Sequence, residues 1–214
     1  PLPVLSLPKE KKQPMKKLTH PKIHKGFSLV ELLVVIAIIA VLAALSYPAI
    51  TGAIKSAKIT EGNKMAQDLV FAIEGFEQKY DYLPYGDTPP DPNEPSVVEY
   101  SAGPGGENIA DLLKVLMGQD EDINPNNVHF FEFQAASNGI NGLIYEADGT
   151  TPSELKDPFG NDFTLYIDYS GDRTFDLQDT VFSGQKEKNG QPKTIRSTSA
   201  IAGSPGPDKE FYDP

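Results

Sequence analysis

Glu31 is the one ionisable side chain between Phe27 and Tyr47, a twenty-one-residue window that is otherwise apolar except for Ser28 and Ser46. A carboxylate costs about 2.5 to 3.5 kcal/mol at the centre of a membrane span and less near an end, so Glu31 needs a partner. Just before it, Lys25, Gly26 and Phe27 mark an abrupt change from basic to apolar sequence. Other reactive groups are sparse. His20 and His24 lie among the N-terminal lysines, and His129 beside Phe130 reads as a satisfied strand residue rather than a base. The absence of cysteine removes disulfides, thiolate metal sites and a thiol nucleophile. Asp168, Asp172, Asp176 and Asp179 lack the glycine placement of an EF-hand loop and read as the decoration of a hairpin. No spacing among the remaining carboxylates selects a catalytic pair, and the chain is expected not to be an enzyme.

The elements around Glu31 explain its setting. The net charge of -11 divides into +6 over residues 1–26 and -17 over residues 27–214. Five prolines interleaved with lysines leave residues 1–25 unable to propagate a helix or bury a core, so that stretch is expected to be disordered. Leu32–Leu45 is then an unbroken apolar run of fourteen residues. As a helix the window from Phe27 to Tyr47 reaches roughly 30 Å, near the thickness of a bilayer's hydrocarbon core. Lysines on its N-terminal side predict a cytoplasmic leader and an exported C-terminal body. The acidic body repels phosphate backbones, and no nucleic-acid partner is expected.

Beyond Pro48 and Gly52, which are expected to soften or kink the helix, Ile50, Ile54, Ala57, Met65, Leu69, Ile73, Phe76 and Tyr80 recur at helical spacing. One helix is therefore predicted from about Phe27 to about Tyr80, stopped by Pro84 and Gly86, with its second half laid on a sheet. Residues 84–106 read as an irregular loop, and a short helix is predicted from about Asn108 to Met117 with Gly118 as its stop. Strands are predicted at Val128–Phe133, at Phe163–Tyr169 as a half-buried antiparallel strand, and weakly at Thr194–Ile201. The expected fold is α+β: a long N-terminal helix, its first half spanning a membrane, packed on a small antiparallel sheet. The expected division is a basic leader over 1–26, a transmembrane segment over 27–47 and a globular body over 48–214.

The run Lys25-Gly26-Phe27-Ser28-Leu29-Val30-Glu31, followed by the apolar segment, closely resembles the type IV prepilin signal. The resemblance implies that a membrane-embedded prepilin peptidase cuts between Gly26 and Phe27 and methylates the new amine of Phe27. Glu31 is then the filament-assembly carboxylate that meets such an amine on a neighbouring copy. Pro48 falls where pilin helices carry a proline, and Ala72–Pro84 resembles the stretch in which the amphipathic helix ends. Asp157-Pro158-Phe159-Gly160-Asn161 resembles the Asp-Pro-Trp-Gly-Asn segment of major pseudopilins of type II secretion, with phenylalanine in place of tryptophan. Ala202–Asp208 loosely resembles a second pseudopilin segment, and the lack of cysteine favours pseudopilins over many type IV pilins.

The resemblance further implies a single-pass protein of the bacterial inner membrane, with a periplasmic body that joins a pseudopilus. Its partners are then prepilin peptidase, copies of itself, other pseudopilins and an inner-membrane assembly platform. Pseudopilins often bind calcium through acidic C-terminal loops, and Asp208 with Asp213 are the matching carboxylates; no other cofactor is expected. Alternatives remain at this level: a type IV pilin or minor pilin for adhesion or DNA uptake, a membrane-tethered binding module, an ordinary secretory signal cut near Ala44, or an uncleaved anchor with Glu31 at its helix start.

Overall fold

A computed structural model describes residues 26–93, 96–103, 105–187 and 189–211. The expectation of disorder over residues 1–25 lies outside them. Helix α1 runs unbroken over Leu29–Tyr80, 52 residues, with Pro48 inside it. Proline has no amide proton and removes one i→i−4 bond, yet the helical path continues through it. The division between two compact units falls within α1, between Tyr47 and Pro48.

In the first unit the described residues of α1 are exposed and, apart from Glu31 and Ser46, apolar, and α1 is long and apolar enough to cross a membrane. In the second unit α1 is buried at Met65, Leu69, Ala72, Ile73 and Phe76. The predicted stripe therefore works only from Met65 onward, since Ile50 and Ile54 stay 57% and 53% exposed. The helix stops before Pro84: Asp81 takes a left-handed conformation at φ 63° and its N–H still donates to the Glu77 carbonyl at 2.8 Å.

The body that this half of α1 covers holds a four-stranded sheet in the order β2-β1-β5-β8. Its strands are β1 (Val97–Ser101), β2 (Glu107–Asn108), β5 (Thr164–Asp168) and β8 (Ala200–Gly203). β5 pairs antiparallel with both β1 and β8, and β2 adds a short parallel pairing to β1. Two hairpins complete the body, β3 (Gly142–Tyr145) with β4 (Pro152–Lys156), and β6 (Thr174–Asp176) with β7 (Thr194–Arg196).

Between β2 and β3 lies α2 (Ile109–Leu116). Asn108 caps it by accepting the Ala110 N–H at 3.0 Å, and Gly118 ends it at φ +72°. A Cβ at Gly118 would lie 2.7 Å from the Asn127 carbonyl oxygen, so only glycine fits.

Three strand predictions need correction. β5 is buried along its whole length rather than on one face. Leu165 and Ile167 enter the main core with α1, while Tyr166 on the other face joins a second small core of Phe175, Leu177, Phe182 and Ile201. Val128–Phe133 forms no strand: Phe130 donates its N–H to the Leu116 carbonyl at 2.8 Å, and its ring packs 5.2 Å from that of Phe76. Thr194–Ile201 splits between β7 and β8, which belong to different sheets. β1 sits inside the region read as loop, and β3 and β4 carried no prediction.

Candidate functional site

Gly26 and Phe27 precede the first helical turn, and Phe27 is 76% exposed. Among the described residues nothing lies within 4 Å of a Cβ built on Gly26.

Ser28 is the N-cap of α1. Its hydroxyl accepts the Val30 N–H at 3.3 Å, and Glu31 Oε2 reaches back to accept the Ser28 N–H at 2.9 Å. This reciprocal arrangement is a capping box, Ser-x-x-Glu, which satisfies donors that the first helical turn otherwise leaves without a partner. Glu31 thus has a partner within its own chain through Oε2, and among the described residues Oε1 has none. Placed in the first turn, the carboxylate also opposes the positive end of the helix dipole. Glu31 stands out in the sequence by its charge, whereas the only sequence signal of Ser28 is its three-residue spacing to Glu31, the spacing of a cap.

The second segment to stand out, Asp157–Asn161, forms the turn from β4 toward β5. Asp157 is only 1% exposed, and its Oδ1 accepts the N–H groups of Phe159 and Asn161, both at 2.8 Å. Its Oδ2 accepts the Ser204 hydroxyl at 2.8 Å, while Asn161 Nδ2 donates to the Gly206 carbonyl at 2.6 Å. The segments Asp157–Asn161 and Ala202–Asp208 are therefore in direct contact. Gly160 sits at φ +91°, where a Cβ would come within 2.9 Å of the Ile140 side chain. Lys58 lies over the Phe159 ring, 5.4 Å from its centroid.

Asp208 lies in a short 3-10 turn, Gly206–Asp208, and Asp213 lies outside the described residues. Calcium requires six to eight oxygen ligands. Among the described residues no three acidic or histidine side chains are grouped to hold an ion, and the nearby carboxylate of Asp157 is committed to the turn. Asp168 is buried and organises the turn after β5, accepting from Ser170 and from the Arg173 N–H at 2.6 Å, while Asp176 caps a 3-10 turn. His129 is exposed.

Comparison with known proteins gives these features a family. Residues 21–47 match the prokaryotic N-terminal methylation motif. The chain is 31% identical over 123 residues to the type IV major fimbrial protein FimA of Dichelobacter nodosus strain VCS1703A, covering 43% of this chain and 76% of that protein. A second FimA from Dichelobacter nodosus matches to the same extent. The chain belongs to the type IV pilin superfamily. No solved structure matches. The motif implies processing by a prepilin peptidase and assembly into a pilus-like filament, and the long apolar helix that begins within it suggests membrane anchoring.

Proposed function

We propose that the chain is a structural filament subunit, cut between Gly26 and Phe27, N-methylated on Phe27, and stored as a single-pass protein of the bacterial inner membrane. Residues 1–26 are the cytoplasmic leader, 27–47 the span that becomes the filament core, and 48–214 the periplasmic body. The observation that carries this reading is the join at Gly26: a glycine inside the matched methylation motif, followed by an exposed Phe27 and a capped apolar helix. The role asks for no catalytic group. Mass spectrometry of the protein extracted from membranes tests it, and the expected mature terminus is N-methylated Phe27. An intact leader in cells with active prepilin peptidase, or a terminus near Ala49, would overturn it.

The finer assignment is the pseudopilus of a type II secretion system, with other pseudopilins and the inner-membrane assembly platform as partners. Its supports are the Asp157–Asn161 turn, clamped to the C-terminal segment, and the lack of cysteine. A second reading, a type IV pilus, is favoured by the identity to fimbrial proteins over most of their length. Loss of the gene discriminates: exported enzymes trapped in the periplasm point to secretion, and lost surface filaments with normal secretion point to a pilus.

A further inference from the structure

An asparagine followed by glycine readily loses its side-chain amide, because a glycine without a Cβ leaves its nitrogen open to attack the neighbouring side-chain carbonyl. The chain has such pairs at Asn138-Gly139, Asn141-Gly142 and Asn189-Gly190, and the fold treats them differently. Asn141 is tied down. Its Nδ2 donates to Glu61 Oε1 at 2.9 Å, its N–H donates to the Asp157 carbonyl at 2.9 Å, and its carbonyl accepts Gln134 Nε2 at 3.3 Å. Gly142 after it is buried, wedged so closely that a Cβ would lie 2.3 Å from the Gln134 carbonyl oxygen. At Asn189 the attacking nitrogen is engaged: the Gly190 N–H donates to the Glu187 carbonyl at 2.9 Å, and Asn189 Oδ1 accepts the Gln191 N–H at 2.9 Å. Asn138 and Gly139 are exposed at a hairpin tip, with φ 53° and 74°, as a type I′ turn requires. Ser137 and Ile140 close that turn by exchanging backbone bonds of 3.0 and 3.2 Å. Among the described residues neither the Asn138 side chain nor the Gly139 N–H has a hydrogen-bond partner.

We propose that Asn138 is a self-modification site, converting to aspartate and isoaspartate in the folded chain while Asn141 and Asn189 react far more slowly. The Gly139 nitrogen attacks Asn138 Cγ and the new N–C bond closes a five-membered succinimide. The Cγ–Nδ2 bond breaks, and ammonia leaves with the proton from the Gly139 nitrogen. Water, the one co-reactant, then opens the ring at either carbonyl. One opening gives aspartate; the other gives isoaspartate, in which the main chain runs through the former side chain. Ring closure requires Asn138 to swing out of the turn, and two backbone bonds at an exposed hairpin tip resist such local opening only weakly. The consequence reaches beyond the tip. The Ile140 side chain lies against Gly160, so the hairpin rests on the turn that Asp157 builds. Isoaspartate adds a methylene to the backbone of a two-residue turn and a carboxylate to an acidic body, and it shifts Ile140 off that seat.

The test is peptide mapping by mass spectrometry of the purified full chain during incubation at mildly alkaline pH, with isoaspartyl methyltransferase labelling to count the isoaspartate. Each further hydrogen bond that must break before ring closure slows it about fivefold, so Asn138 is expected to convert at least about tenfold faster than Asn141 or Asn189. In urea the protection is lost and the three rates are expected to converge. A folded chain in which Asn138 converts no faster than the other two, or a spread of rates that survives unchanged in urea, overturns the assignment. Asn138→Gly keeps a residue that accepts positive φ and removes the reactive amide. It is expected to abolish most of the isoaspartate, and an Asn138→Gly chain with as much isoaspartate as wild type equally overturns the proposal. Neither cleavage nor assembly enters this experiment, so its failure leaves the filament reading intact.

Discussion

The buried carboxylate of Asp157 accepts the Ser204 hydroxyl at 2.8 Å, so one side chain both builds the β4–β5 turn and ties down the segment after β8. Removing it strands several donors at once in a site closed to water. A buried donor left unsatisfied costs about 1 to 3 kcal/mol, so Asp157→Ala is expected to destabilise the body by about 3 kcal/mol and Ser204→Ala by about 1 kcal/mol. Thermal unfolding checks the magnitude. Limited proteolysis checks the place, with new cuts after Gly203 in Asp157→Ala. Equal protease resistance in the two proteins would show that the clamp is dispensable.

Alkaline pH offers a second test of the core. Tyr169 donates to the Pro84 carbonyl at 2.6 Å, so at its 2.8 Å contact with Tyr100 the proton is supplied by Tyr100. Burial pushes both hydroxyls above their ordinary range, and burial likewise pushes Tyr166 up to about 12. A group whose folded pKa is raised binds its proton longer in the native state than in the unfolded one. Stability is thus undiminished below pH 10 and falls as pH rises beyond it, by about 1.4 kcal/mol per pH unit for each such tyrosine. Urea midpoints between pH 8 and pH 12 are the measurement. Tyr169→Phe is expected to flatten the fall while lowering stability at neutral pH, and an unchanged slope would contradict this account.

The long helix and the N-terminal methylation motif were legible because their signals are local: charge switch and apolar run lie within one stretch of chain. α2 with its Asn108 and Gly118 ends was legible for the same reason. The sheet was not. β1 is two valines, an acid, a tyrosine and a serine inside proline- and glycine-rich sequence, and what makes it a strand is β5, whose Ile167 pairs with Val98 across a long separation. β5 itself showed the alternation of a half-buried strand, and only the second core around Phe175 and Phe182 buries its other face. The aromatic run at Val128–Phe133 had the composition of a strand but no edge to pair with, and it serves as packing against Phe76. The contact of Asp157 and Asn161 with the C-terminal segment joins residues more than forty apart, which no window of sequence displays.

Processing at Gly26 can be separated from folding. Since a side chain at this position meets nothing among the described residues, Gly26→Ala and Gly26→Val are expected to leave the helix and the body unchanged, with stability within about 0.5 kcal/mol of wild type. Cleavage is the step expected to suffer, more with valine than with alanine as the side chain fills the peptidase cleft. Immunoblots that resolve precursor from mature protein give the fractions. A Gly26→Val chain processed as fully as wild type would remove the glycine from the recognition signal.

Glu31 has two separable uses, and a set of substitutions tells them apart. In one chain its Oε2 completes the capping box with the Ser28 N–H. After cleavage, Phe27 bears an amine, and burying that cation among packed apolar helices without a partner costs about 3 to 5 kcal/mol. Glu31 lies one helical turn along, about 6 Å on the axis, so a neighbour displaced by a similar distance brings its amine to the free oxygen. Ser28→Ala removes the cap at a cost of about 1 kcal/mol to the helix start and keeps the charge, so assembly is expected to slow only a few-fold. Glu31→Gln keeps an oxygen that can cap and loses the charge. Glu31→Leu loses both while making the span more apolar, so insertion and cleavage are expected to persist. If pairing with the amine is the decisive use, Glu31→Gln and Glu31→Leu both fail to form filament ladders, by a hundredfold or more on the 3 to 5 kcal/mol scale of a broken buried pair. Ladders from Glu31→Gln at wild-type level, with Glu31→Leu defective, would instead make the cap the reason Glu31 is there.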